Sequence, residues 1–241
     1  MELIIANSYE EMSGIAAADI VKIMQAANKP LLCPATGHTT IGLYKKMARM
    51  FDEKKYNPHN WFFAGLDEWM GMNIDNEKSC HFRITEELFN KIGVKREQIC
   101  FFDGTSEDLN AECEKMENFI TNKGPLTLAI LGLGVNGHVG MNEPFTSANS
   151  RSHIAQLDEI TQQVGQKYFK EPQQITAGIT LGLGTLLESE NIFLLVNGTH
   201  KAAIIKKVIE EEITEAVPAS ILRNHPALKI YLDAEAAELL K

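Results

Sequence analysis

The segment Leu131-Gly132-Leu133-Gly134-Val135-Asn136-Gly137-His138-Val139-Gly140-Met141-Asn142-Glu143-Pro144 sets groups suited to proton transfer among four glycines. Glycine permits backbone turns that other residues resist. Asn136, His138 and Glu143 sit within those turns. Imidazole is the side chain whose ordinary pKa lies nearest neutrality, and a neighbouring carboxylate can orient it and stabilise its charged form. The plainer alternative is a glycine-rich turn around a hydrogen-bonded core histidine. The GxGxxG spacing of Gly132, Gly134 and Gly137 is not a dinucleotide fingerprint, because it runs on into His138 and Pro144 rather than a clean helix start.

Two further segments carry reactive groups. In Gly65-Leu66-Asp67-Glu68-Trp69 the adjacent carboxylates must point in different directions, so only one of the two is a candidate to face a pocket. Apolar walls would raise its pKa and suit it to general-base work; the alternative is a capping Asp beside a solvated Glu. In Pro34-Ala35-Thr36-Gly37-His38-Thr39-Thr40 a glycine and three threonines precede a helical pattern. Free backbone N–H groups and hydroxyls at such a helix start suit a phosphate, although threonine caps also occur without a ligand. The loop is not a Walker motif, since GxxxxGK[ST] is missing.

All three segments follow apolar runs, and the elements around them explain why. Strands are expected over residues 2–6, 30–34, 61–66, 98–102, 126–133, 154–158, 174–179, 191–196 and 229–232. Helices are expected from the spacing of Ile15, Ile20, Ile23 and Met24, and over 41–51, 79–92, 107–121, 201–210 and 234–240. Residues 126–133 are the most apolar strand, as suits the centre of a sheet covered on both faces. Strands alternating with helices imply right-handed crossovers, so the expected fold is a single α/β domain over 1–241 with a doubly wound, mostly parallel sheet of Rossmann-like form. Ligands then sit beyond the carboxyl ends of the strands.

Composition sets outer limits. The chain has 241 residues, 44% hydrophobic and 23% charged, enough to bury roughly 70% of its unfolded surface. A net charge of -9 argues against nucleic acid and anionic membranes as partners, though a local cluster of donors can still hold a small anion. Cys33, Cys80, Cys100 and Cys113 are scattered without metal-finger spacing, which suits free thiols in a reducing compartment. With no leader at the N-terminus and no apolar run of spanning length, a cytoplasmic protein is expected.

The motifs ATGHTTIGLYKKM, GLDEWMG, LGLGVNGHVGMNEP, GITLGLGTLL and VPASILRNH resemble, in order and spacing, those of glucosamine-6-phosphate deaminases. The related 6-phosphogluconolactonases resemble the Gly-His portion but lack the NEP continuation. The resemblance implies conversion of an amino-sugar 6-phosphate and water to a ketose 6-phosphate and ammonia, with no cofactor and no metal. Asp67 would be the base that moves a proton from carbon 2 to carbon 1. His138 would protonate the ring oxygen, held by Asn136 and Glu143. Some family members have Asp at the Asn136 position; Asn can orient an imidazole but cannot ionise. The phosphate would lie on Thr36, Gly37, His38, Thr39 and Thr40 with help from Lys201 and Lys167.

Several positions depart from the family pattern. TGHTT replaces the usual TGSTP or TGGTP, Lys167 stands for a phosphate-gripping Arg, and Ser79-Cys80 replaces Ser-Tyr. Lys offers a point charge in place of a bidentate fork. His153 stands where longer, allosteric members have an effector-binding Arg, so no allosteric activation is expected. These changes suggest the same chemistry on a different or relaxed sugar, with galactosamine 6-phosphate the leading alternative to glucosamine 6-phosphate. A lactonase-like hydrolase and a non-catalytic sugar-phosphate sensor are the competing classes. The chain would act as a monomer or a homo-oligomer.

Overall fold

A computed structural model describes residues 1–169 and 175–241. Within them ten strands occur: β1 (Glu2–Ala6), β2 (Leu31–Cys33), β3 (Phe62–Ala64), β4 (Asp67–Trp69), β5 (Ile99–Cys100), β6 (Leu128–Gly132), β7 (His153–Gln156), β8 (Ala177–Thr180), β9 (Ile192–Val196) and β10 (Leu228–Asp233). Seven pair in parallel in the order β1-β10-β9-β6-β2-β3-β5. From β2 the chain builds outward through β3 and β5, then returns to lay β6 on the other side of β2 and continues through β9 and β10. The winding direction therefore reverses between β2 and β6, and a crevice opens there beyond their carboxyl ends.

Alternation along β6 shows why this sheet needs two covers. Leu128 and Ile130 face one core with Leu32, Phe63, Phe193 and Tyr231. Helices α1 (Tyr9–Ala26) and α2 (His38–Lys54) close it through Ile20, Met24, Leu43 and Met47. Ala129 and Leu131 face the other core with Leu31, Leu194 and Ile230. It is closed by Met116 and Ile120 of α5 (Leu109–Lys123) and by Ile205 and Val208 of α8 (Ala202–Glu210). The expected doubly wound α/β architecture is thus present. Among the described residues no helix is long and apolar enough to cross a membrane.

The structure corrects several boundaries. The strands expected near 154–158 and 174–179 do not join the parallel sheet; with β4 they form a separate antiparallel sheet, ordered β4-β8-β7. Gln174 lies outside the described residues. Asp158 leaves its strand to cap α6 (Glu159–Gly165), its carboxylate accepting from Ile160 N–H at 2.8 Å. The helix expected over 79–92 is divided into α3 (Cys80–Ile84), a π-helical turn (Thr85–Phe89) and α4 (Asn90–Ile92). The Thr85 hydroxyl donates to His81 O at 2.8 Å, a back-bond of the kind that bends a helix. Residues 234–240 form turns and not a helix. α7 (Leu183–Leu187) and α9 (Pro218–Ile221) are short and were not expected.

One carboxylate fastens α5 to the residue before β7 and to α7. Glu117 accepts from Ser152 N–H (2.8 Å), Ser152 Oγ (2.6 Å) and Thr185 Oγ1 (2.7 Å). Glu117→Ala is expected to destabilise the fold by about 2–3 kcal/mol, because three donors lose a charged acceptor. A lower urea midpoint with an unchanged slope is the result expected.

Candidate active site

The segments after β2 and β6 and the start of β4 meet at the crevice. Together they enclose a cleft of about 200 Å³, joined by α6 and by the turn after β9. Ligand sites commonly span about 300–1,000 Å³, so this one suits a small molecule.

The loop after β6 aims an imidazole into the cleft. Gly134 N–H donates to His138 O at 2.9 Å, folding the loop back so that the ring lies over the Gly134 α-carbon. A Cβ there would stand 2.3–2.5 Å from the ring atoms. Asn142 pins the far end, its Nδ2 donating to Val139 O and Leu181 O, both at 2.9 Å. His138 Nδ1 lies 2.7 Å from Asn136 Oδ1, 3.1 Å from Thr161 Oγ1 and 3.6 Å from Glu143 Oε2. Asn136 Nδ2 donates to Glu143 Oε2 at 2.8 Å. Burial pushes the Glu143 carboxyl up, but its contacts with His138, Thr161 and Asn136 bring it below its ordinary value. Glu143 is therefore an acceptor, which turns the Asn136 amide so that its oxygen faces Nδ1. Nδ1 then carries a proton in either charge state, and Nε2 is the nitrogen whose protonation can change.

Across the cleft, Asp67 opens β4 opposite Thr180 and is 9% exposed. Burial raises its pKa to about 6, opposed by a hydrogen bond with Cys80 and by the charges of His138 and Arg83. Glu68 turns the other way, as strand pleating requires. It is not the solvated carboxylate the sequence allowed. Fully buried, it accepts from Trp69 N–H (2.9 Å), Cys80 N–H (2.9 Å) and His81 N–H (3.0 Å), capping α3. Burial pushes it to about 7 against those bonds.

The third wall is cationic. Thr36, Gly37, His38, Thr39 and Thr40 line it with Lys167, His200 and Lys201. Gly37 caps α2 without a side chain, so the first amides of that helix are left for a ligand. The threonine hydroxyls differ from expectation. Thr39 Oγ1 donates to Asn197 Oδ1 at 2.6 Å, and Thr40 Oγ1 to Gly37 O at 3.0 Å. Both hydroxyl protons are committed to the protein, which leaves the backbone and the cations to meet an anion. Lys201 Nζ donates to Leu133 O at 2.6 Å; burial, then the charge of Lys167, lowers its pKa to about 8. Burial and the charges of nearby Lys and Arg likewise lower His38 and His200. Lys167 is exposed at the rim, on the turn Gln166–Tyr168.

Nine of the eleven residues expected from the sequence line this cleft, and Asn136 and Glu143 join it through their contacts with His138. Sequence reasoning missed Thr161, Arg83, His200, Glu68 and Asp233. Buried Asp233 accepts from Gly198 N–H (3.0 Å) and Ala236 N–H (2.8 Å), fixing the turn that carries Lys201. Only the alternation across β4 could have signalled Glu68; the others come from segments remote in sequence. Among the described residues, no three His, Cys, Asp or Glu side chains gather as a metal site.

An imidazole, a buried carboxylate and a cationic loop meet at the switch point of a parallel α/β sheet, an arrangement suited to acid–base chemistry on a small anion. The profile of the glucosamine-6-phosphate isomerases/6-phosphogluconolactonase family matches residues 7–230, and the chain belongs to that family. It is 37% identical over 241 residues to a glucosamine-6-phosphate deaminase of Thermoanaerobacter pseudethanolicus, covering all of this chain and 95% of that one. A glucosamine-6-phosphate deaminase of Clostridium acetobutylicum is 34% identical over the whole of both chains. The solved structure of a monomeric glucosamine-6-phosphate deaminase superposes with a TM-score of 0.96 at 34% identity, over 99% of this chain and 100% of that one. A 6-phosphogluconolactonase of Trypanosoma brucei shares the fold, with a TM-score of 0.76 at 21% identity over 100% and 98% of the two chains.

Gly134→Ala is expected to cut turnover by about 10²-fold by displacing the imidazole, with a far smaller change in thermal midpoint. Parallel rate and melting measurements separate the two effects.

Proposed function

We propose that the chain deaminates and isomerises an amino-sugar 6-phosphate, converting glucosamine 6-phosphate and water to fructose 6-phosphate and ammonia. The observation that carries this reading is the buried Asp67 carboxylate facing the same small cleft as His138 and the cationic loop. A lactonase needs the anion site and the imidazole, but it has no use for a carbon base. The identity of about 35% to named deaminases over the full chain supports the same choice.

In this reading the phosphate rests on the amides at the start of α2, Lys201 and Lys167. It acts as a remote handle whose binding energy orients the reacting carbons. His138 Nε2, in its protonated form, gives its proton to the ring oxygen and the ring opens. Asn136 and Glu143 hold the ring and stabilise its charged form. Asp67 takes the proton from carbon 2 and returns it to carbon 1, while a second proton passes from the amine to oxygen 1. The resulting imine at carbon 2 adds water and releases ammonia, leaving the ketose. The chain would act as a monomer or a homo-oligomer. Residues 1–241 would work as one domain, in the cytoplasm. Galactosamine 6-phosphate, giving tagatose 6-phosphate, is the alternative substrate favoured by His38, Cys80 and Lys167.

Ammonia and ketose 6-phosphate should appear together from one of these amino sugars. Asp67→Asn should lower that rate by about 10²–10⁴-fold, whereas lactone hydrolysis without ammonia release would overturn the proposal. The pH profile carries a second expectation. Asp67 works as a base only when ionised, and its proton is held up to about pH 6. kcat/KM should therefore fall about tenfold per pH unit below that value. An acid limb near pH 4 would remove Asp67 from the role.

A further inference from the structure

The surroundings of His138 leave its charged form short of a direct partner. Nδ1 meets Asn136 Oδ1 at 2.7 Å, but an amide cannot ionise. The carboxylate nearest Nδ1, Glu143, stands 3.6 Å away, whereas N–H···O bonds span about 2.7–3.2 Å. Thr161 reaches both groups. Its Oγ1 lies 3.1 Å from Nδ1 and 3.4 Å from Asn136 Nδ2, and its side chain is also hydrogen-bonded to the Glu143 carboxylate. A hydroxyl has one donor position and two acceptor positions. Nδ1 and Nδ2 both carry protons, so they fill the acceptor positions, and the hydroxyl proton is directed to Glu143.

Thr161 does not belong to the loop that carries the other three residues. It comes from α6, where it is buried, and Val164 and Gly165 of the same helix line the cleft. Lys167 follows on the next turn. The hydroxyl that closes the cluster is therefore mounted on a wall of the substrate cleft. We propose that Thr161 is a positioning residue for ring opening, whose hydroxyl bridges the His138 imidazole to the Glu143 carboxylate and makes up for the charge that Asn136 lacks. This role rests on the function proposed above. Thr161 exchanges no proton with the sugar. It holds the ring plane, and through one O–H it brings a carboxylate to bear on the imidazolium before Nε2 gives up its proton.

The test isolates ring opening. Asp67→Asn stops the carbon steps, so exchange between the two anomers of glucosamine 6-phosphate, followed by NMR, reads His138 alone. On that background Thr161→Val keeps the branched shape and drops the hydroxyl. It should slow the protein-catalysed exchange about tenfold or more while the dissociation constant of the sugar phosphate stays within about threefold. Thr161→Ser should keep the rate. Asn136→Asp added to Thr161→Val should restore it, because a carboxylate then meets Nδ1 directly and the two changes are not additive. Exchange that Thr161→Val leaves unchanged overturns the proposal. So does an equal loss of exchange and affinity, a loss that Asn136→Asp fails to restore or that Thr161→Ser shares, or no exchange even with Thr161 in place. Ammonia release by the unsubstituted protein is read separately. Its absence overturns the deaminase reading, and this role with it, whereas ammonia release alongside any of the failures above overturns the bridge alone.

Discussion

A carboxylate that is to act on a C–H bond must be ionised where water is scarce. Much of the architecture around Asp67 follows from that requirement. Burial raises its pKa by disfavouring charge, yet a base that kept its proton at neutrality would be idle. The Cys80 contact and the charges of His138 and Arg83 oppose the burial and hold the group near 6. The result is a carboxylate more basic than an exposed aspartate and still mostly ionised at neutral pH, as the proposed role of a carbon base requires. Its neighbour Glu68 meets the same penalty differently, by accepting from three backbone amides. Two adjacent carboxylates thus acquire different tasks because successive residues of a strand face opposite sides.

The parallel sheet was legible because its strands are apolar on both faces, and the run around Leu128–Gly132 stands out in the sequence. The cleft was legible as well, since strand-end loops in such a sheet collect ligands and three of them carried reactive groups. Less visible was anything that depends on contacts between distant segments. β4 is three residues long and pairs with β8, more than a hundred positions away. No periodicity in so short a run announces an antiparallel partner. Thr161 reaches His138 from a helix whose start is marked only by Asp158. Arg83 lies on a segment that reads as one helix, and the π-helical turn after it begins at Thr85, whose hydroxyl donates back to His81 O. The threonines of the anion loop show the opposite error. Their type suggested donors to a ligand, but two of their hydroxyls are spent on Asn197 and on the loop's own carbonyl.

The -9 net charge and the cationic wall are compatible because they act over different distances. Salt screens the global field within about 8–10 Å. In the proposed reading the site meets its ligand through helix amides and a few partly desolvated cations, some of which lower one another's proton affinity. Such crowding is unfavourable in an empty cleft and is relieved when a dianion arrives.

The bond from Lys201 Nζ to Leu133 O spans that wall and the strand end from which the His138 loop departs. An ammonium that turns toward an incoming anion must loosen its hold on that carbonyl. In the proposed reaction the handle of the ligand and the seat of the ring-opening acid therefore share one tether. A sugar without its phosphate would forfeit more than a point of attachment, because it would leave that tether in its resting state.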